Sequence, residues 1–127
     1  MKLIYMASPY AGDIEKNTEF AKKACHHVMN EGYAFFAPHL LYPTILDEHQ
    51  PEQRQLGLDM GIAMLSRCDE LWCYGDHISL GMHLEIEEAG RLGIPVRRVT
   101  EQENGFAIGR VKNNAPAEAP EQAMRMV

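Results

Sequence analysis

One stretch, residues 70–99, reads ELWCYGDHISLGMHLEIEEAGRLGIPVRRV and contains three patterns in succession. An apolar run at residues 70–74 is typical of a buried strand. Ser79 is a good N-cap for the helix that the apolar spacing predicts up to Leu92. A second strand is predicted near residues 96–99. A strand, a helix and a strand in this order predict a βαβ unit with two parallel strands.

The rest of the chain repeats this alternation. Strands are predicted at residues 3–7 and 33–37, helices at residues 13–31 and 52–67, and a long connection without periodicity at residues 38–51. Such long connections in small domains are commonly functional. The fold class predicted is α/β, an open doubly wound parallel sheet of four or five strands, flavodoxin- or Rossmann-like, with helices on both faces.

Length and composition predict one folded domain. The chain has 127 residues, 46% of them apolar, and a formal net charge of −6, which suits a single core without disulfides or a structural metal. We expect residues 1–100 to form the α/β domain. Residues 101–127 are rich in Glu, Asn, Ala, Pro and Gln, so we expect a C-terminal extension that is largely irregular or mobile.

The acidic balance argues against binding to nucleic acid or to an anionic membrane, since both require clusters of Lys and Arg. No stretch approaches the roughly 20 apolar residues that cross a bilayer, and the apolar N-terminal run is too short for a signal peptide. We therefore expect a cytoplasmic protein. Cys25, Cys68 and Cys73 form no CxxC motif and are interpreted as reduced core thiols, and no metal or cofactor is expected.

The helix after Ser79 contains the most informative candidates. With about 100° per residue, Met82, Ile86 and Ala89 form the stripe that faces the sheet, and Glu85 turns toward the same side. A carboxylate in partly apolar surroundings is typical of an active group. The alternative is a boundary glutamate whose carboxylate reaches water.

The start of the same helix is a candidate phosphate site. Exposed backbone N–H groups lie at the start of the helix that Ser79 caps, at the positive end of the helix dipole. Gly81 allows a ligand to approach the backbone there. The alternative is a purely structural cap. A phosphate held there would lie about one helical turn, roughly the length of a sugar, from Glu85.

These motifs resemble those of the nucleoside 2-deoxyribosyltransferase superfamily, which includes deoxynucleoside 5'-monophosphate N-glycosidases and small phage and bacterial relatives. The resemblance covers residues 2–99. It is carried by Ser-x-Gly-(x)3-Glu-(x)3-Ala from Ser79 to Ala89, by the following Gly-x-Pro-Val, and by Tyr-x-Ala-Ser-Pro-Tyr from Tyr5 to Tyr10. It implies a homo-oligomer whose subunits complete each other's pockets.

The resemblance also implies roles for individual residues. Glu85 matches the nucleophile that attacks the anomeric carbon, and Ser79 and Gly81 match residues that hold a 5'-phosphate. The turn that lines the sugar and base pocket is matched by Ser8, Pro9 and Tyr10.

The sequence departs from the family pattern at one position. An aspartate is expected eight residues before Asp69, where this chain has Gly61. Asp59 is the nearest substitute and is assigned to catalysis, with a solvated helix residue as the alternative. The group that protonates the leaving base is left open among His39, Asp47, His49, Asp59 and His77.

Three more residues are assigned to substrate binding. Met82 follows Gly81 at the predicted phosphate site, and His39 lies in the long connection. Asn17 lies on the inward stripe of its helix, where a local hydrogen bond is the alternative role.

The resemblance and these residues together lead to two candidate functions. The first is cleavage or transfer at the N-glycosidic bond of a nucleoside or nucleoside 5'-monophosphate, with Glu85 trapping the oxocarbenium-like carbon. The second is a non-catalytic protein that binds or sequesters a nucleotide on the same fold. Loss of the expected aspartate favours the second, and the inward direction of Glu85 favours the first.

Overall fold

A computed structural model of the chain describes residues 1–109 and contains one five-stranded sheet. The strands are β1 (Leu3–Ala7), β2 (Ala34–Phe36), β3 (Glu70–Tyr74), β4 (Val96–Gln102) and β5 (Gly105–Ile108). The helices are α1 (Ile14–Asn30), α2 (Pro38–Leu41), α3 (Pro51–Leu65) and α4 (Leu80–Leu92), and a 3-10 turn covers Tyr42–Thr44.

The sheet has the order β2-β1-β3-β4-β5. Its first four strands are parallel, and β5 pairs antiparallel with β4. Alternate strand residues pack on opposite faces: Ile4 and Met6 contact the α1 side, whereas Tyr5 and Ala7 face the core shared with α3 and α4. The predicted α/β fold with a mostly parallel sheet and helices on both faces is confirmed.

The structure corrects the predicted elements in two places. The connection at residues 38–51 contains the short helix α2 and the 3-10 turn, where no regular structure was expected. The sheet also continues past residue 100, because β4 extends to Gln102 and β5 adds a fifth strand. Phe106 of β5 packs edge-on against Phe20 and Tyr74, which holds this strand of only 4 residues against the sheet and α1. The remainder of the expected extension, residues 110–127, lies outside the described residues.

An ion network around the buried Glu70 lies at the end of the sheet opposite the strand ends that carry the site. Glu70, only 5% exposed, accepts hydrogen bonds from Lys2 Nζ at 2.8 Å, Trp72 Nε1 at 2.9 Å and Arg97 Nε at 2.8 Å. Burial opposes ionisation of this carboxyl, but the three donors outweigh it and hold its pKa at about 2. The network therefore ties the N-terminus of β1 to β3 and β4.

We expect Glu70→Ala to lower the free energy of unfolding at pH 7 by about 2 kcal/mol, because it leaves Trp72 Nε1 and Arg97 without their acceptor. A depressed pKa stabilises the fold above the ordinary value of 4.5, and this stabilisation is lost as the pH falls toward about 2. The difference in free energy of unfolding between Glu70→Ala and the parent, measured with urea, should therefore be smaller at pH 3 than at pH 7. Glu87→Ala, at an exposed position of α4, is the control, and a difference that does not change with pH would contradict this account.

Candidate active site

A cavity of about 360 Å³ lies beside the carboxyl ends of β1 and β3. These two strands are central neighbours in the sheet and feed helices on opposite faces, which is the switch point where ligands bind in doubly wound folds. The cavity volume falls within the range of small-molecule sites. Its lining comes from Tyr5, from the turn after β1, from residues 38–48, from one side of α3 and from the start of α4.

Glu85 lines this cavity from the second turn of α4 and is 5% exposed. Its Oε2 accepts a hydrogen bond of 2.5 Å from the Tyr5 hydroxyl. Burial raises the pKa of Glu85 to about 7, although the hydrogen bond from Tyr5 acts in the opposite direction. Burial and the nearby Glu85 charge raise the pKa of Tyr5, so Tyr5 remains the donor. The arrangement holds one carboxylate in a fixed orientation with an ionisation near neutral pH.

Gly61 of α3 packs directly on the Tyr5 hydroxyl. A Cβ at this position would lie 2.9 Å from Tyr5 Oη, closer than real Cβ contacts allow. Gly61 also lines the cavity. The position where the family resemblance expects an aspartate is therefore filled by the hydroxyl of Tyr5, and the backbone of α3 approaches the tyrosine without a side chain between them.

The N-terminus of α4 forms another part of the cavity. Ser79 Oγ accepts from Met82 N at 3.2 Å, and Ser79 O accepts from His83 N at 3.0 Å. Ser79 and Gly81 both line the cavity, and a Cβ at Gly81 would meet nothing within 4 Å. The predicted cap is present, and the glycine is not required by the packing of the protein itself. This end of the cavity offers positive helix-end potential and open space.

Tyr10 and His39 both line the same cavity, and their aromatic rings stack on each other. Their rings stack with centroids 5.3 Å apart and an interplanar angle of 23°. Burial lowers the pKa of His39 to about 4, so its imidazole is neutral at pH 7. Aromatic rings that line a cavity are suited to contact with a planar ring.

The structure brings most of the predicted site residues together. Those that line the cavity are Pro9, Tyr10, His39, Ser79, Gly81 and Glu85. Of the alternatives for protonating a leaving base, His39 and His77 line it.

Four of the predicted residues do not line the cavity, namely Ser8, Asn17, Met82 and Asp59. Ser8 is buried at the end of β1, and the Met82 side chain belongs to the core, 1% exposed. Asn17 Nδ2 donates to the carbonyl oxygens of Tyr10 and Ala11 at 3.0 Å, which is the local role given as its alternative. Asn17 thus fixes the turn that carries Tyr10.

Asp59, the predicted catalytic substitute, does not line this cavity, and the phase of the helix gives the reason. The cavity-lining residues of α3 are Arg54, Gly57, Leu58 and Gly61. Asp59 lies two residues before Gly61, which at about 100° per residue is roughly 200° around the helix. Its exposed carboxylate instead accepts from Gln55 Nε2 at 2.9 Å.

Sequence reasoning missed Tyr5, Arg54 and Glu48 as cavity residues. Tyr5 was available as the first residue of the Tyr-x-Ala-Ser-Pro-Tyr motif but reads as an ordinary residue of a buried strand. Arg54 shares a helical face with Gly61, seven residues later, which is a usable signal once Gly61 is known to face the cavity.

Two further features of residues 1–109 concern metal binding and membrane insertion. No group of three or more His, Cys, Asp or Glu side chains is arranged to hold a metal ion there. None of the helices in this part of the chain is both long and apolar enough to span a membrane.

A family profile described as a domain of unknown function, DUF7768, matches residues 2–99, which is well over half of the chain. The chain belongs to this family. The matched residues are those over which the sequence resembles the deoxyribosyltransferase superfamily, and the DUF7768 description names no activity. A search of curated proteins finds no match.

A solved structure gives an independent comparison of the fold. The 2-deoxyribosyltransferase from the psychrotolerant bacterium Bacillus psychrosaccharolyticus aligns with a TM-score of 0.64 and 19% sequence identity, over 77% of this chain and 72% of that chain. That protein is described as a biocatalyst for the synthesis of nucleosides. The DUF7768 chain therefore shares the fold of a 2-deoxyribosyltransferase. Its homo-oligomeric state stays a prediction.

Proposed function

We propose that this protein cleaves the N-glycosidic bond of a nucleoside or nucleoside 5'-monophosphate, with Glu85 as the nucleophile. The observation that carries the proposal is the buried Glu85 carboxylate, held by Tyr5 in a cavity at the strand ends. A structural glutamate in such a position would normally have a cationic partner, whereas within residues 1–109 the hydrogen-bond partner of Glu85 is the neutral hydroxyl of Tyr5. The carboxylate is thus costly to the fold and suited to attack.

The chemistry follows from this carboxylate. As the C1'–N bond breaks, its electron pair leaves with the base and the sugar carbon gains oxocarbenium character. Ionised Glu85 attacks that carbon and forms a C1'–O ester bond. Water then releases the free sugar, or a second base takes the sugar and leaves Glu85 ionised again. Hydrolysis and transfer therefore share the first half of the reaction.

The start of α4 supports a substrate with a 5'-phosphate. Gly81 precedes Glu85 by four residues, which is about 6 Å along the helix and comparable to the width of a sugar. Backbone N–H groups and the helix dipole at Ser79 and Gly81 would face the phosphate. The Tyr10 and His39 rings would then contact the base.

We expect nucleoside 5'-monophosphates to bind about tenfold or more tightly than the corresponding nucleosides, because the helix end favours the dianion. Gly81→Ala should reduce this difference, since its methyl group enters open cavity space where the phosphate would lie. Isothermal titration calorimetry with Glu85→Gln protein avoids turnover during the measurement. Nucleoside affinity is the internal control and should change little. If the Glu85→Gln protein with Gly81 intact binds nucleosides and monophosphates with equal affinity, the phosphate site is contradicted and Ser79 is only a helix cap.

A nucleotide-binding protein without catalysis is the second candidate. It is favoured by one observation: position 61 has no carboxyl group, and Asp59 is turned away from the cavity. This function predicts binding of the same ligands without release of a base.

Base release from a substrate panel tests the two candidates against each other. Purified protein is incubated with ribonucleosides, deoxyribonucleosides and their 5'-monophosphates, and free base is measured by chromatography. The proposed enzyme releases base from at least one of them, and addition of a second free base distinguishes transfer from hydrolysis. Tight binding of a nucleotide with no base release from any member of the panel would instead support the non-catalytic binding protein.

A further inference from the structure

One face of α3 lines the cavity and carries a single charged side chain. The residues of this face are Arg54, Gly57, Leu58 and Gly61, spaced as successive turns of the helix. The backbone N–H of Arg54 donates to Gln50 O, but its guanidinium forms no hydrogen bond or ion pair with any residue in the range 1–109. Glu48 lines the same cavity and is not paired with it. As far as residues 1–109 are concerned, the guanidinium is therefore available to a ligand.

The position of Arg54 along α3 suits the far edge of a base. Arg54 lies seven residues, about 10 Å along the helix axis, from Gly61. Gly61 contacts Tyr5, whose hydroxyl holds Glu85, so that end of α3 lies beside the carbon to be attacked. A nucleobase attached to this carbon and an extended arginine side chain together span such a distance.

The leaving base needs stabilisation that position 61 cannot supply. Gly61 carries no acid, and the Tyr5 hydroxyl leaves no room for a Cβ there. When the C1'–N bond breaks, the base receives its electron pair, and in a keto base the negative charge is delocalised onto the keto oxygen. A permanent cation at that oxygen lowers the energy of the departing anion.

We propose that Arg54 donates hydrogen bonds to the keto oxygen of the leaving base and stabilises its negative charge as the C1'–N bond breaks. The base then takes its proton from water after it has departed. This inference rests on the proposed function and deepens it, because it names the substrate class as nucleotides of keto bases, 6-oxopurines or 4-oxopyrimidines. An amino group at the same position of the base carries hydrogen-bond donors, and the guanidinium of Arg54 has no acceptor for them.

A matched substrate pair tests this role. Hypoxanthine and adenine nucleotides differ at C6, where the first has an oxygen and the second an amino group. We expect the parent protein to prefer the hypoxanthine substrate. Arg54→Gln should lower kcat/KM for hypoxanthine release roughly 100-fold and for adenine release by no more than about threefold, so the preference collapses. Arg67→Gln, at an exposed position just after α3, is the matched control and should leave both rates unchanged.

The alternatives give different results. An equal loss on both substrates would mean that Arg54 binds the phosphate or supports the fold, and unchanged rates on both would mean that it has no role; each overturns the inference while the proposed function stands. A parent protein that releases no base from any substrate overturns both. Arg54 is exposed, so the variant should fold normally, and Arg54→Ala repeats the same ratio if the glutamine variant folds poorly.

Discussion

Glu85→Gln is expected to reduce base release roughly 10⁴-fold while the protein stays folded and still binds nucleotide. Glutamine has nearly the shape of glutamate and can accept the hydrogen bond that Tyr5 now gives to Glu85. It lacks the charge that must trap the anomeric carbon. Rates are measured as base released under saturating substrate, with circular dichroism as the check on folding. Glu87→Gln, exposed on the same helix, is the matched control and should retain the parental rate.

The pKa of Glu85 gives this prediction a pH dependence. The carboxyl must be ionised to attack, so kcat/KM of the parent should rise as the pH passes through about 7. Stability should change in the opposite direction. A raised pKa means that the folded state holds its proton more tightly than the unfolded state, so stability falls as the pH rises from 4.5 to about 7.

Glu85→Gln removes this loss of stability. Its melting temperature should therefore exceed that of the parent at pH 8, and the two should converge at pH 4. A glutamine variant that releases base at the parental rate would show that Glu85 is only a boundary residue. A variant that is less stable at pH 8 would contradict the stated cost of the buried carboxylate.

Gly61→Ala is expected to reduce base release roughly 100-fold, because its methyl group would lie 2.9 Å from Tyr5 Oη and displace the hydroxyl that orients Glu85. The loss of this hydrogen bond should also raise the pKa of Glu85 further, since the bond lowers it at present. The ascending limb of the pH–rate profile should therefore move to higher pH. Steady-state rates between pH 5 and pH 9 measure both effects.

A double-mutant cycle with Tyr5→Phe isolates the cause. Phenylalanine has no hydroxyl, so an alanine at position 61 no longer clashes with residue 5. Gly61→Ala should therefore cost little additional activity in the Tyr5→Phe background. Multiplicative losses in the double variant would mean that Gly61 acts independently of Tyr5.

The sequence was sufficient where periodicity was strong. In α4, Met82, Glu85 and Ala89 are all buried, as their shared helical direction predicts, and Ser79 caps the helix. The strand and helix alternation likewise predicted the α/β sheet, because each buried strand is a short apolar run between turn residues.

The remaining features depend on contacts that sequence periodicity does not contain. In α3, Leu56 is 49% exposed whereas Leu65 is fully buried, so the apolar residues do not define one face and the phase that turns Asp59 outward was not predictable. The sequence indicates only a core position for Tyr5, because the role of its hydroxyl depends on contact with Glu85, 80 residues later in the chain. Strand β5 is too short for a period and depends on Phe106 packing against α1 and β3.

Trapping of the covalent intermediate tests the central claim most directly. A substrate with fluorine at C2' slows the breakdown of a glycosyl ester, so the protein is incubated with such a nucleoside 5'-monophosphate and its intact mass is measured. We predict one equivalent of released base and one added sugar phosphate per chain, mapped by peptide fragmentation to Glu85 and missing from Glu85→Gln. Base release without any adduct, or an adduct on a different residue, would contradict nucleophilic attack by Glu85.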